Sequence, residues 1–157
     1  MKRLSVVIIV ATLFASLALL QVHTAEAGFS LFGTHKQIKS DNGFINIQMN
    51  KVSDGEAHYY HYKHNGQRIK FFVVQSRDGV IRAAFDACDV CFPAQKGYSQ
   101  DGEFMICNNC GQRFHVSRIN VVKGGCNPAP LKREVAGKNL VIAVKDIIAG
   151  ARFFQEG

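Results

Sequence analysis

The sequence lacks the motifs that usually announce a catalyst. It has no Gly-rich phosphate loop, no strained nucleophile turn, and no pair of carboxylates at a spacing suited to acid–base work. Hydrolase and kinase chemistry find no support, and the expectation is a carrier rather than an enzyme with a substrate of its own. No low-complexity run occurs, and the only internal repetition is a pair of cysteine knuckles. The first 27 residues hold no cysteine, which argues against a lipid-anchored lipoprotein, and no twin-arginine pair, so export is expected in the unfolded state. Clustered basic residues are missing too. The Lys and Arg behind the formal charge of +7 on this 157-residue chain are scattered along it. With export, that excludes nucleic acid as a partner and reads as a solvated surface suited to anionic lipid or an acidic protein.

What is present begins with an address. Lys2 and Arg3 form a positive start, Leu4 to Leu20 is almost wholly apolar, and Ala25-Glu26-Ala27 offers a small-x-small cleavage pattern. Residues 1–27 are therefore expected to be one apolar helix, either a signal peptide or an N-terminal membrane anchor. Either form puts the remainder on the periplasmic or extracytoplasmic side of the envelope. Cleavage would leave a charge of +6, since Lys2, Arg3 and Glu26 go with the segment. Residues 28–42 read as a linker without apolar period, and residues 43–157 as one domain.

That domain reads as mainly β: a small sandwich or barrel-like unit with a short C-terminal helix. Phe44 to Met49 alternates as a half-buried strand does. Tyr59–His64, Asn65-Gly66 and Gln67–Val74 spell a hairpin closed by a two-residue turn, and a second hairpin turns at Arg77-Asp78-Gly79 and returns through Val80 to Phe85. The cysteines follow in a loop-rich stretch with one short strand, Phe104 to Ile106. Strands are then expected at Leu131–Val135 and Leu140–Val144, turned at Gly137-Lys138. A closing helix should follow, with Asp146 as N-cap and Ile147, Ile148, Ala151 and Phe154 facing inward.

The most informative feature is Cys88-Asp-Val-Cys91, then fifteen residues, then Cys107-Asn-Asn-Cys110. Two residues between thiolates let a tight turn aim both sulfurs at one ion, and two such turns supply four ligands. Gly111 after Cys110 can take the positive φ that such a turn needs, whereas Phe92 after Cys91 requires that knuckle to close differently. Two other uses compete: a pair of structural disulfides, as an oxidising compartment permits, and thiol–disulfide exchange, which ordinarily sits at a helix start. Cys126 is the odd fifth cysteine, read as a spare ligand, a disulfide partner, or a residue packed near the centre.

Several segments together resemble one family. Asp86-Ala-Cys88-Asp-Val-Cys91, Lys96-Gly97-Tyr98, Met105-Ile-Cys107-Asn-Asn-Cys110-Gly111, Phe114 and Gly124-Gly125-Cys126-Asn-Pro128-Ala-Pro130 look like the FtrD-like membrane iron–sulfur proteins. The resemblance spans roughly residues 43 to 150. It implies a membrane-associated iron–sulfur protein linked with ferrous-iron uptake, alongside a permease and a copper protein. Relatives often carry many membrane helices ahead of this domain, whereas this chain has one apolar segment, so the resemblance does not extend to transport by the chain itself. The two-knuckle block with its Gly/Pro-rich stretch also bears a fainter likeness to Rieske and rubredoxin-type sites. Gly124, Gly125, Asn127 and Pro128 stand where a Rieske domain has its cluster-covering loop. Rieske loops each supply one Cys and one His, and here every corresponding position is Cys. An all-thiolate centre would sit at lower potential and lack imidazole titration.

The histidines are weaker candidates. His58, His61 and His64 would share a face on a helix, but on the expected strand His61 points away from the other two. His115, five residues beyond Cys110, is a candidate near-site donor. The reading that follows is an exported or membrane-anchored iron–sulfur protein, expected to hold [2Fe–2S] on Cys88, Cys91, Cys107 and Cys110. Its partner would be a redox protein or a permease or oxidase component of the envelope. The alternative is a structural zinc-ribbon module that binds a membrane partner.

Overall fold

The computed structural model describes residues 35–155. The apolar segment and its cleavage pattern at residues 1–27 lie outside the described residues. Within them no helix is long and apolar enough to cross a membrane. The elements run β1 (Lys36–Ile38), β2 (Phe44–Gln48), β3 (His58–His64), β4 (Gln67–Gln75), β5 (Ile81–Phe85), β6 (Tyr98–Asp101), β7 (Phe104–Cys107), β8 (Arg113–His115), β9 (Glu134–Ala136), β10 (Asn139–Ala143) and α1 (Val144–Ile148). Three open sheets result: β1-β3-β4-β5, β2-β10-β9 and β6-β7-β8. The chain is mainly β with a short C-terminal helix, as expected.

β4 explains the layering. Its run Ile69-Lys-Phe71-Phe72-Val73-Val74 is nearly continuous in apolar residues, the pattern of a strand covered on both faces. Ile69, Phe71 and Val73 pack with Ile45 and Ile47 of β2 and Leu140 and Ile142 of β10. Phe72 and Val74 point the other way, into a second cluster with Tyr98, Met105, Cys88 and Cys107. The four-stranded sheet thus separates an ordinary hydrophobic core from the cysteine-bearing sheet. Phe71 and Phe72 are both fully buried, and removing either ring would cost about 3–5 kcal/mol.

Both hairpins form as the sequence indicates. Asn65 and Gly66 hold positive φ in a two-residue turn that pairs His64 with Gln67, and β5 follows the Asp78-Gly79 turn. β2 alternates exposed and buried as its pattern requires.

Four local expectations change. The linker reaches the described residues at 35, and from there it is not free chain: β1 pairs in parallel with β3, Lys36 opposite Tyr60 and Ile38 opposite Tyr62. The loop-rich cysteine stretch holds two further strands, β6 and β8, which flank β7. Leu131 does not start a strand. It is buried and its amide donates to the Ala83 carbonyl at 3.1 Å, and β9 begins three residues later. Asp146 lies inside the first turn of α1 rather than at its N-cap, which is Ala143. Ile147 and Phe154 point inward as expected, joined by Phe153.

Candidate metal centre

Three separate pieces of chain bring the cysteines together. The first is the end of β5. Asp86 leaves the sheet with its amide donating to the Lys70 carbonyl at 3.0 Å, and Cys88 follows two residues later, buried. Asp86 is itself buried. Its Oδ1 accepts from the Tyr98 amide at 2.7 Å, and its Oδ2 lies 2.9 Å from His35 Nε2. Gly97 sits against this carboxylate at φ +63°, so close that a Cβ would overlap it. Asp86 thereby latches the Cys88 knuckle to the start of β6. The Cys91 side closes with a 3₁₀ turn over Phe92–Ala94, which is how this knuckle manages without a glycine.

The second piece is the β7–β8 hairpin, whose turn is the Cys107–Cys110 knuckle. The Cys107 amide donates to Gln112 at 2.9 Å and the Gly111 amide to Cys107 at 2.8 Å. Gly111 holds φ +74°, the positive value expected of it. Asn108 ties this knuckle to the other side of the site, its amide donating to Gly97 and its side-chain nitrogen to Lys96.

The third piece carries Cys126. Asn120 grips β5 from one side, its side chain bonding both the amide and the carbonyl of Ala83 at 3.1 and 2.6 Å. Ala129 grips it further along, bonding Phe85 and Ala87 through its backbone. Between these anchors the 124–128 loop turns on two positive-φ glycines, Gly124 and Gly125, with both Asn127 nitrogens donating to Gly124. Pro128 is buried at its end. Tyr98 fixes the loop, since its hydroxyl donates to the Cys126 carbonyl at 2.6 Å.

The result is two sulfur triads that share one member. Cys88, Cys91 and Cys126 form one, and Cys91, Cys107 and Cys110 the other, the sulfurs of each lying within 4.8 Å of one another. Cys91 and Cys126 are 3.7 Å apart. All five are free thiols. Cys88 and Cys107 are buried, Cys91 and Cys126 half-buried, and Cys110 exposed. The centre therefore opens to solvent on the Cys110 side. Backbone amides point at sulfur in both knuckles: Cys91 N–H donates to Cys88 Sγ at 3.1 Å, and the amides of Cys110 and Asn109 favour the Cys107 thiolate. Burial outweighs those amides and pushes the Cys107 thiol up to about 11. Burial also raises Cys126, to about 12, helped by Cys110 and Cys91 beside it. Cys110 goes the other way, held below its ordinary range chiefly by the Gln112 amide.

The donor set fits a thiolate-bound iron–sulfur group. Soft sulfur ligands, amide donors to sulfur and a largely buried wall are what such centres use. A single four-coordinate zinc would draw its sulfurs to about 3.8 Å from one another, given metal–sulfur distances of about 2.3 Å. Each triad, its sulfurs within 4.8 Å of one another, stands near that spacing too, so the thiols fit a thiolate-bound metal in either form.

The other candidates separate. His115 stands at the end of β8 opposite Phe104, away from Cys107 at the far end of β7. Its ring engages Ser117 at 2.8 Å and lies 3.8 Å from Glu103. His58 bonds Asp54, and His61 bonds the His35 carbonyl. Among the described residues these histidines form no metal-binding group. Asp86 and Gly97 are the site residues whose role the sequence conceals. The apolar context of Asp86 was the available sign, because a carboxylate there needs a partner.

The FtrD-like family profile, described as membrane iron–sulfur containing protein, matches residues 52–154. The chain belongs to the FtrD-like family. It is accordingly a member of a membrane-associated iron–sulfur group, and its cysteine triads lie inside the matched span. No curated protein sequence matches it. Among solved structures, the quaternary ammonium Rieske monooxygenase CntA in complex with gamma-butyrobetaine is 16% identical, with a TM-score of 0.42. That alignment covers 65% of this chain and 32% of the other. Its apo form is 14% identical with the same TM-score, over 74% and 35% of the two chains. The FtrD-like chain thus spans about a third of the oxygenase's length, and at this degree of likeness neither activity nor cofactor carries across.

Proposed function

We propose that this protein is an exported or membrane-anchored one-electron carrier serving envelope iron uptake, with a [2Fe–2S] cluster held by Cys88, Cys91, Cys107 and Cys110. The observation that carries the reading is the pair of thiol triads joined through Cys91, set in a buried wall. When bound, such a cluster supplies a reversible one-electron couple.

The residues of the chain do the rest. Cys88 and Cys107 hold the inner side out of water, and the apolar packing of Phe72, Met105 and Val116 around them keeps the local dielectric low. The Cys91, Asn109 and Cys110 amides stabilise negative charge on sulfur, which raises the potential relative to an all-thiolate site without them. Cys110, exposed on its knuckle, offers the outward route for the electron. Tyr98 and Asn127 hold the 124–128 loop so that Cys126 stands 3.7 Å from Cys91, within reach of the centre, and this reading takes it as the near-site thiol.

Electron paramagnetic resonance of the dithionite-reduced, anaerobically purified protein tests this reading. A signal from a reduced [2Fe–2S] centre, with matching bleaching of the visible bands, is the expected result. A protein that is metal-replete, colourless and silent under dithionite would make it a structural zinc module instead.

A further inference from the structure

Three of the charges that look scattered along the chain gather on one face of the fold. In the β3–β4 hairpin His61 lies directly opposite Lys70, and Lys63 directly opposite Arg68. Directly opposed residues share a face, so all four stand on one side of the sheet. It is the side that carries Phe72, whose continuation packs on the cysteine cluster. Like charges placed opposite one another in a ladder are unfavourable, and Lys63 and Arg68 are both exposed. Among the described residues none of Lys63, Arg68 and Lys70 has a carboxylate within 4 Å. Asp86, whose amide bonds the Lys70 carbonyl, has its own carboxylate committed to His35 and the Tyr98 amide.

This face lines an open recess beside the cysteine site. Its open recess is lined by His61, Lys63, Arg68, Lys70 and Gln95, and Gln95 also lines the recess over Cys88, Cys91 and Cys107. A strip of uncompensated positive charge beside a redox group steers oppositely charged molecules toward it and orients their approach. A flat lipid surface would not seat in a concavity as a protruding acidic protein surface would.

We propose that the His61–Lys63–Arg68–Lys70 face is the docking surface for an acidic one-electron redox protein. This rests on the electron-carrier reading. One electron passes between this chain's cluster and the partner's centre, one side oxidised as the other is reduced, with no bond made or broken.

The test has a part that does not depend on redox activity. Hexacyanochromate(III), an inert paramagnetic trianion, is titrated into the ¹⁵N-labelled metal-loaded protein. Line broadening should concentrate on residues of this hairpin, vanish in the Lys63→Glu/Arg68→Glu variant, and persist in a Lys132→Glu/Lys138→Glu variant of equal net charge. Even broadening over all basic residues, or equal loss in both variants, would overturn the proposal. In the redox part, stopped flow follows oxidation of the reduced protein by hexacyanoferrate(III). Here Lys63→Glu/Arg68→Glu should slow the reaction about tenfold at low salt, and the distant pair should change it far less. A localised anion site on a protein with no reducible centre would remove the electron-carrier reading and the redox role of the face together. Loss of sedimentation with phosphatidylglycerol vesicles in Lys63→Glu/Arg68→Glu, without loss of hexacyanoferrate(III) selectivity, would reassign the face to the membrane and overturn the proposal.

Discussion

Replacing Gly97 by alanine isolates the latch that holds the first knuckle. Two costs arise. Alanine at φ +63° carries the left-handed backbone penalty of about 1–2 kcal/mol. Its Cβ also overlaps the Asp86 carboxylate, which must then give up or lengthen its bonds to the Tyr98 amide and His35. Hydrogen bonds to a buried charged group contribute about 1.5–3 kcal/mol each. Losing most of one brings the total to roughly 3–5 kcal/mol, a large part of the stability of a domain this size. Gly102 is the control. It too has positive φ, at +55°, but a Cβ there meets nothing, so Gly102→Ala should cost only the same backbone penalty, about 1–2 kcal/mol. Urea denaturation of the two variants beside the parent, all in one metallation state, gives the comparison. A cycle with Asp86→Ala sharpens it, because Gly97→Ala should become nearly as mild as Gly102→Ala once the carboxylate is gone. If Gly97→Ala and Gly102→Ala cost the same in the parent, the latch does not hold the knuckle.

Cys107→Ser should abolish metal binding, whereas Cys126→Ser should retain a full complement and change the visible spectrum only slightly; metal analysis of the two variants checks both outcomes. The metal-free protein should lose stability in alkali. Burial raises Cys107 and Cys126 from 9.0 to about 11 and about 12. A group whose pKa is raised by folding contributes fully below its unfolded value and loses that contribution as pH climbs past it, so the fall begins near pH 9 and continues toward 12. Urea midpoints at about pH 8 and about pH 10.5 measure it, and the loaded protein, whose ligand thiols are already deprotonated, should show less of it.

The parts of the fold that were legible are those where a strong local pattern and the tertiary structure agree. The Asn65-Gly66 turn, the alternation of β2 and the double-sided apolar run of β4 each specify one solution. β6 and β8 were hidden because Tyr98-Ser-Gln-Asp and Arg-Phe-His carry little apolar signal. They become strands by pairing with β7 and by Tyr98 packing under Phe72 and Phe114. β1 was hidden for the same reason, since Lys36-Gln-Ile38 is ordered by pairing with β3. Leu131 shows the reverse error: its apolar context looked like a strand, but its burial comes from lying beside Ala83. Of the site, the two Cys-x-x-Cys spacings announced the thiols. Cys126 was legible only as an odd cysteine, because the Asn120 and Ala129 anchors that bring it to Cys91 lie elsewhere in the chain. The register that sets Lys63 opposite Arg68 follows from the Asn65-Gly66 turn, whereas the nearness of that face to the cysteines depends on tertiary packing.

The central claim is that the joined thiol triads hold an iron–sulfur cluster, and the most direct measurement is iron, zinc and acid-labile sulfide per chain in protein purified anaerobically from its native envelope. Iron and sulfide in equal amounts, about two of each per chain as a [2Fe–2S] centre requires, is the predicted result. One zinc per chain without sulfide would contradict it.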